Sequence, residues 1–360
     1  MKNKIIIAAA AAVALASCTK DNVIDMNRGD VINFRTSVGV SSKATDKTSF
    51  SSGDMFKALA TYDNNGVTSV YFNENFRFDG SGWYSVTTPY YWPSEMDASH
   101  TLTFEAVWPS SLETALGTSA FDYSAPEAVD SQLDILYAKH VSTSRETSGV
   151  KLNFRHTLAQ IAVKARNGSS TVECDVTGVK LAFINKAGSF NPVSVASGNT
   201  DDNNAGNLAR TDWTLTDGSV DASSDYVQDG IDIKMLPQAA AATIGESVIL
   251  IPQTKDKASA YTSSDAGARM NGAYIAVKMT IRNAADGTVI ASERWCCWPV
   301  AIDWVPGYKY TYTIDLSAGG YEDGNDDGDD DLDPVLENQE IFFVDCSVDA
   351  WDGETHEIAM

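Results

Sequence analysis

The sequence predicts an all-β chain built as two antiparallel β-sandwich domains. Short runs rich in Val, Ile, Tyr, Phe and Thr recur along it, and such residues fit a pleated, half-buried surface. Gly, Asn and Asp punctuate these runs, so short strands follow one another in place of the strand and crossover-helix alternation of a parallel sheet. A length of 360 residues suits about two domains of ordinary size, each able to bury a core unaided.

The first element, MKNKIIIAAAAAVALASC, is a short basic segment followed by an apolar run. The run is too short for a stable membrane-spanning helix and has the form of a signal peptide. It ends in Leu15-Ala16-Ser17-Cys18, which resembles a bacterial lipobox, where the Cys thiol is acylated and the chain is cut ahead of it. Residues 1–17 are therefore expected to be a lipoprotein signal peptide and Cys18 the lipidation site. Acylation at both the thiol and the new N-terminus exceeds the two anchors that stable attachment needs.

The strand-like runs follow in order: DVINFRTSVGV, VTSVYFNENFRF, GVKLAFI, ESVILIPQ, AYIAVKMTIRN and YKYTYTIDL. Between the first two, Asn65-Gly66 is a hairpin signal. Asp79-Gly80, Asp217-Gly218 and Asp286-Gly287 add turn chemistry. In LNFRHTLAQIAVKA, Leu152 and Phe154 alternate as in a strand, whereas Leu158, Ile161 and Ala162 keep helical spacing. The segment reads as a strand kinked near Thr157 that opens a second domain at about residue 150. The expected domains are thus 18–149 and 150–318. From Gly198 to Ala222 a long loop is interrupted by one strand at Trp213.

Charge is uneven. Beyond Lys309 the chain has no Lys or Arg and 16 acidic residues, so the first 309 residues carry only −7 of the net −23. No basic stripe exists to displace counterions, which argues against nucleic-acid binding. Within GYEDGNDDGDDDLDP, Asp323, Asn325, Asp327 and Gly328 match the first half of an EF-hand loop, but the position of its bidentate Glu is Pro334. The run is therefore read as a solvated acidic linker over 319–339, extended by self-repulsion, leading to a terminal strand segment at 340–360. No metal or cofactor is expected.

Cys174, Cys296, Cys297 and Cys346 remain after the lipobox Cys. They show no CxxC spacing, and core-packed free thiols or one disulfide both fit. The four His residues, His100, His140, His156 and His356, fall in no HExxH, and no GxSxG elbow, P-loop or dinucleotide fingerprint occurs. No catalytic residue is expected and an enzyme is the least supported class. Trp83, Tyr84, Tyr90, Tyr91 and Trp92 crowd into GWYSVTTPYYWP. Trp83, Tyr90, Tyr91 and Trp92 are candidates for a sugar or partner platform, although strand alternation favours a core role for such rings.

An ordered series of segments resembles the fimbrillin (Mfa-like) family of Bacteroidales lipoproteins, which build type V pili. The series is INF at Ile32–Phe34, FSSGDMF at Phe50–Phe56, YYWP at Tyr90–Pro93, DILYA at Asp134–Ala138, LNFRHTLAQIAVKARN at Leu152–Asn167, ILIPQ at Ile249–Gln253 and WVPGYKYTYTIDL at Trp304–Leu316. The resemblance implies two transthyretin-like sandwiches, an outer-membrane lipoprotein at the cell surface, and assembly with other pilus subunits for adhesion. It also implies proteolysis after a basic residue near the N-terminus, which removes the first strand and leaves a groove. A C-terminal strand of the next subunit fills that groove by β-augmentation.

Lys43 holds the place where family members often carry Arg, and Arg28 and Arg35 are the alternative cutting points. Ile341, Phe343, Val348 and Trp351 are the candidate donor-strand residues. Stalk, anchor and tip roles remain open, with host or bacterial surface receptors as further partners, and a glycan-binding surface lipoprotein is the alternative function.

Overall fold

Asn65-Gly66 forms the tip of a long hairpin in the computed structural model, which describes residues 26–38, 49–112, 120–192, 208–216, 225–325, 327–336, 344–350 and 355–357. Asn65 at φ 52° and Gly66 at φ 87° both adopt positive φ, as a two-residue turn matched to strand twist requires. The Asp63 carboxylate accepts the Gly66 amide at 2.7 Å.

The strands of the first half are β1 (Met26–Val31), β2 (Phe34–Val38), β3 (Met55–Asn64), β4 (Val67–Phe78), β5 (Trp83–Ser85), β6 (Tyr91–Pro93), β7 (His100–Trp108), β8 (Phe121–Ser124), β9 (Leu136–Ser142) and β10 (Val150–His156). Seven of them form one sheet in the order β2-β10-β9-β7-β3-β4-β5, and β1 pairs with β6. Alternation sets the inward face. On β10, Val150, Leu152 and Phe154 are buried while Lys151, Asn153 and Arg155 are only partly covered. The first core gathers Phe34, Phe56, Phe76, Phe104, Phe154, Trp83 and Trp92.

The second half contributes β11 (Ala159–Arg166), β12 (Val172–Ala182), β13 (Ala187–Phe190), β14 (Trp213–Leu215), β15 (Tyr226–Met235), β16 (Ala242–Thr243), β17 (Val248–Leu250), β18 (Thr254–Lys255), β19 (Tyr274–Asn283), β20 (Val289–Pro299), β21 (Ile302–Asp303), β22 (Tyr308–Asp315), β23 (Tyr321–Glu322), β24 (Val344–Ala350) and β25 (Thr355–Glu357). One sheet runs β16-β11-β22-β24-β25, with β17 also on β11, and another runs β15-β12-β19-β20-β23. Ile161, Val163 and Tyr312 of the first sheet share a core with Val176, Val277 and Trp298 of the second. The strand expected at Trp213 is β14, which pairs with β13. The Asp217-Gly218 turn lies outside the described residues.

Residues 150–156 join the first sheet as β10, and the next strand, β11, joins the sheets of the second half. Both the Thr157 amide and its hydroxyl donate to the Ile135 carbonyl, at 2.9 and 3.0 Å, and Trp213 Nε1 donates to the Thr157 carbonyl at 2.7 Å. The helical spacing after Leu158 is a strand buried on both faces: Ala159 to Val163 are all buried. Phe121, Tyr123 and Tyr137 join the second core, so the two halves share packed apolar surface. Pairing is antiparallel except for β2–β10 and β11–β22.

Part of the acidic run over 319–336 packs on the second half. Tyr321 and Glu322 pair with Cys297 and Cys296 as β23. The chain then turns back, with Glu322 donating its amide to Asp333 and Val335 to Gly320. Asn325 is 2% exposed and its amide side chain donates to the Ser263 carbonyl at 3.2 Å. Tyr321 and Leu332 pack on a satellite core of Tyr261, Met270, Tyr274 and Cys297. Among the described acidic residues of the run, Asp327, Asp329, Asp330 and Asp331 are exposed. The few apolar residues between the acids thus tie down a loop whose exposed carboxylates stay hydrated. Residues 337–339 lie outside the described residues.

Candidate functional site: the terminal strand segments

The segment after β1 alternates strictly. Ile32 and Phe34 are 3% and 4% exposed, while Asn33, Arg35 and Ser37 face solvent. The Phe34 ring meets Phe56, Phe76 and Phe104 edge-on, with centroids 5.4, 4.8 and 5.6 Å away. Thr36 accepts Trp83 Nε1 at 3.0 Å. Among the described residues this apolar plug is held by one neighbouring strand, since β2 lies at the end of its sheet and pairs with β10 through five residues from Phe34↔Val150 to Val38↔Phe154.

Three further contacts clamp this segment, and sequence reading missed all of them because each joins residues distant in the chain. Ile32 donates its amide to the Tyr90 carbonyl. Arg145 reaches the Pro93 and Ser94 carbonyls and lies 3.8 Å from Asp30. Arg35 Nε donates to the Gly149 carbonyl at 3.2 Å. Gly149 sits at φ 98°, and a Cβ there would stand 3.1 Å from Arg35 Cγ. Close beside it, Glu146 accepts from His140 and Ser142, both at 2.6 Å. Burial raises the Glu146 pKa, but these bonds and the Arg35 charge outweigh it and hold the carboxyl below its ordinary value.

The candidate cutting points differ in consequence. A cut after Arg28, within β1, leaves β2 whole. A cut after Arg35 removes Ile32 and Phe34. Lys43 lies outside the described residues, and a cut there would release all of β2. Cys18 also lies outside them.

At the other terminus β24 pairs antiparallel with β22 from Tyr308↔Ala350 to Ile314↔Val344. Val348 is 5% exposed in the second core, and Val344 and Cys346 pack against it, while Asp345 points out to solvent. Burial lifts the Cys346 thiol to about 11. β25 covers the outer side of β24 through Ser347↔Glu357 and its neighbours. The C-terminal strand therefore pairs at home. Ile341, Phe343 and Trp351 lie outside the described residues.

Of the candidate platform rings, two are buried and two are partly covered. Trp83 and Trp92 are 4% and 0% exposed, and Trp83 packs on Phe50, Phe56 and Phe78. Tyr90 is half-buried with its ring 4.5 Å from Phe72. Tyr91, half-buried, pairs with Val31 and accepts the Tyr71 hydroxyl on its carbonyl. Tyr84 alone of the cluster has an exposed ring. Cys174, Cys296, Cys297 and Cys346 are free thiols. The half-loop Asp323 is engaged by Lys180 and Tyr274, and no cluster of three metal-ligating side chains forms among the described residues.

The fimbrillin-like family model matches residues 42–351. The chain belongs to the fimbrillin-like family. This is a structural adhesion family and not an enzyme family, and membership implies a surface pilus component that assembles with other subunits. Among solved structures, a candidate cell adhesion protein of Bacteroides ovatus ATCC 8483 aligns at 17% identity with TM-score 0.51, covering 89% of this chain and 97% of its own. A second from Bacteroides uniformis ATCC 8492 aligns at 16% and 0.47, covering 90% and 99%. A fimbrilin of Porphyromonas gingivalis W83 aligns at 13% and 0.47, covering 91% and 99%. The first likeness supports the all-β fold. No curated protein matches the sequence. Among the described residues of this fimbrillin-like chain, no helix is long and apolar enough to cross a membrane.

Proposed function

We propose that this fimbrillin-like chain is a subunit of a type V pilus, as a structural unit or as an anchor or tip component, and assembles by donor-strand exchange in the service of adhesion. The observation that carries the reading is the edge position of β2: its residues Ile32 and Phe34 plug the first core while, among the described residues, only β10 pairs with it. Proteolytic loss of that strand would leave the β10 edge unpaired and an apolar slot where Phe34 sat. An incoming strand can satisfy both, with backbone bonds giving affinity and alternate side chains giving register. The C-terminal segment has the required alternation at Val344, Cys346 and Val348. Its antiparallel pairing on β22 stores it until a neighbour is available.

Before processing, Cys18 acylation tethers the chain to the outer membrane. Receptors on host or bacterial surfaces are further partners of the assembled fibre. The buried rings of Trp83 and Trp92 weigh against the glycan-platform alternative.

The test is assembly in solution. Protein trimmed after Arg35 or Lys43 should give ladders on unheated denaturing gels that collapse on boiling, and deletion of residues 344–357 should abolish them. Trimmed, folded protein that stays monomeric at high concentration would overturn the reading.

A further inference from the structure

One carboxylate of the acidic loop is drawn inward onto a buried lysine. Asp323, directly after β23, reaches across its sheet to Lys180 near the C-terminal end of β12. Lys180 is 7% exposed, and its Nζ lies 4.9 Å from the centroid of the Trp295 ring and 5.5 Å from that of Tyr274. The Tyr274 hydroxyl donates to Asp323 Oδ1 at 2.7 Å. A second carboxylate, Asp225, is 8% exposed with an oxygen 3.9 Å from the same Nζ, and Arg269 grips it through both oxygens at 2.8 and 2.9 Å. Two cations and two anions are therefore packed together beside aromatic rings, with Lys180 and Asp225 buried and Asp323 and Arg269 partly covered, so that part of their solvation is replaced by polar partners.

We propose that Lys180 and Asp323 become joined by an intramolecular isopeptide bond. The Asp225 carboxylate takes one proton from the Lys180 ammonium, and the freed amine lone pair attacks Cγ of Asp323. The Tyr274 hydroxyl stabilises the oxyanion developing on Oδ1. The C–Oδ2 bond breaks, and Oδ2 leaves as water carrying the proton relayed by Asp225 and a second one from nitrogen. Ammonium and carboxylate become amide and water, so no oxidant or activated donor is needed. Charge also closes: the Lys180 and Asp323 charges vanish together, and Asp225 stays paired with Arg269. A fixed pair of reacting groups supplies the proximity. The bond would fasten the acidic loop to a strand 143 positions earlier, so that pull on the C-terminal segment is borne by the sheet.

Intact mass and peptide mapping of the purified mature chain test this. The expected result is a chain lighter by one water molecule and a branched peptide linking Lys180 to Asp323. Lys180→Arg and Asp323→Ala, shown folded by circular dichroism, should both have full mass and a lower unfolding temperature, and Asp225→Ala should link more slowly. Linear peptides carrying unmodified Lys180 and Asp323 at full occupancy would overturn the proposal and leave an ordinary buried ion pair. Loss of water confined to the Asp323-Gly324 step, with Lys180 free, marks a cyclic imide and would also overturn it.

Discussion

Replacing Phe34 by Ala probes how firmly the N-terminal strand is seated. The ring is 4% exposed and meets three others edge-on, so its removal forfeits transfer energy and ring contacts and leaves a cavity. Such truncations cost about 3–5 kcal/mol. The loss falls on any state in which β2 is docked and is absent once β2 has peeled away. At about 1.4 kcal/mol per tenfold, the open population should rise on the order of 10²- to 10³-fold. Native-state hydrogen exchange of the 34–38 amides reads this directly. Those amides should exchange faster by that factor in Phe34→Ala, while amides of β19 and β22 change far less, and the exposed-site variant Ser37→Ala should match wild type. Unchanged exchange at 34–38 would mean that Phe34 does not hold the strand, and the reasoning from its burial would fail.

Other outcomes follow from the same geometry. Gly149→Ala forces an L-residue into φ 98° and should cost about 1 kcal/mol or more, seen as a lower denaturation midpoint; an unchanged midpoint would show that the turn relaxes freely. Asn167, fully buried, donates to the carbonyls of Val172, Met235 and Leu236, so Asn167→Ala should cost ~1–3 kcal/mol in denaturant unfolding. The Glu146 pKa is depressed in the folded state, so its contribution is present above its ordinary value of 4.5 and is lost as pH falls through the folded value. Wild type should exceed Glu146→Gln in stability at neutral pH, and the two should converge in acid; a gap that persists in acid would contradict this. Burial raises Cys174 to about 12 and Cys346 to about 11, and raises Cys296 and Cys297 further. These thiols should resist a disulfide reagent at pH 8 and react only in denaturant.

The strands rich in β-branched and aromatic residues were legible. Val67–Phe78 and Tyr274–Asn283 match their sequence runs almost to the residue, because residue type and local turn chemistry are properties of neighbours in the chain. What was not legible depends on tertiary partners. The segment around Thr157 reads as a kinked strand and is one, as β10 and β11, but its spacing did not announce that β11 is covered on both faces. Four residues of FDYS were too few to announce that β8 would cross to the second core. The acidic run looked like pure self-repulsion, yet Asn325 and Leu332 find a satellite core that no count of charges reveals. The same holds for the pairing of Lys180 with Asp323. The strand at INF was signalled in the sequence, Val344 and Cys346 of β24 were not among the named candidates, and the clamp from Arg145 and Gly149 had no local signature.

The most direct test of the pilus account is the mature N-terminus, read by mass spectrometry on protein sheared from the surface of the native organism. A chain beginning just after Arg35 or Lys43 has lost its Phe34 plug and is the species the account predicts in fibres. A chain that remains in the membrane and begins at acylated Cys18, with Phe34 in place, would contradict donor-strand assembly through this groove.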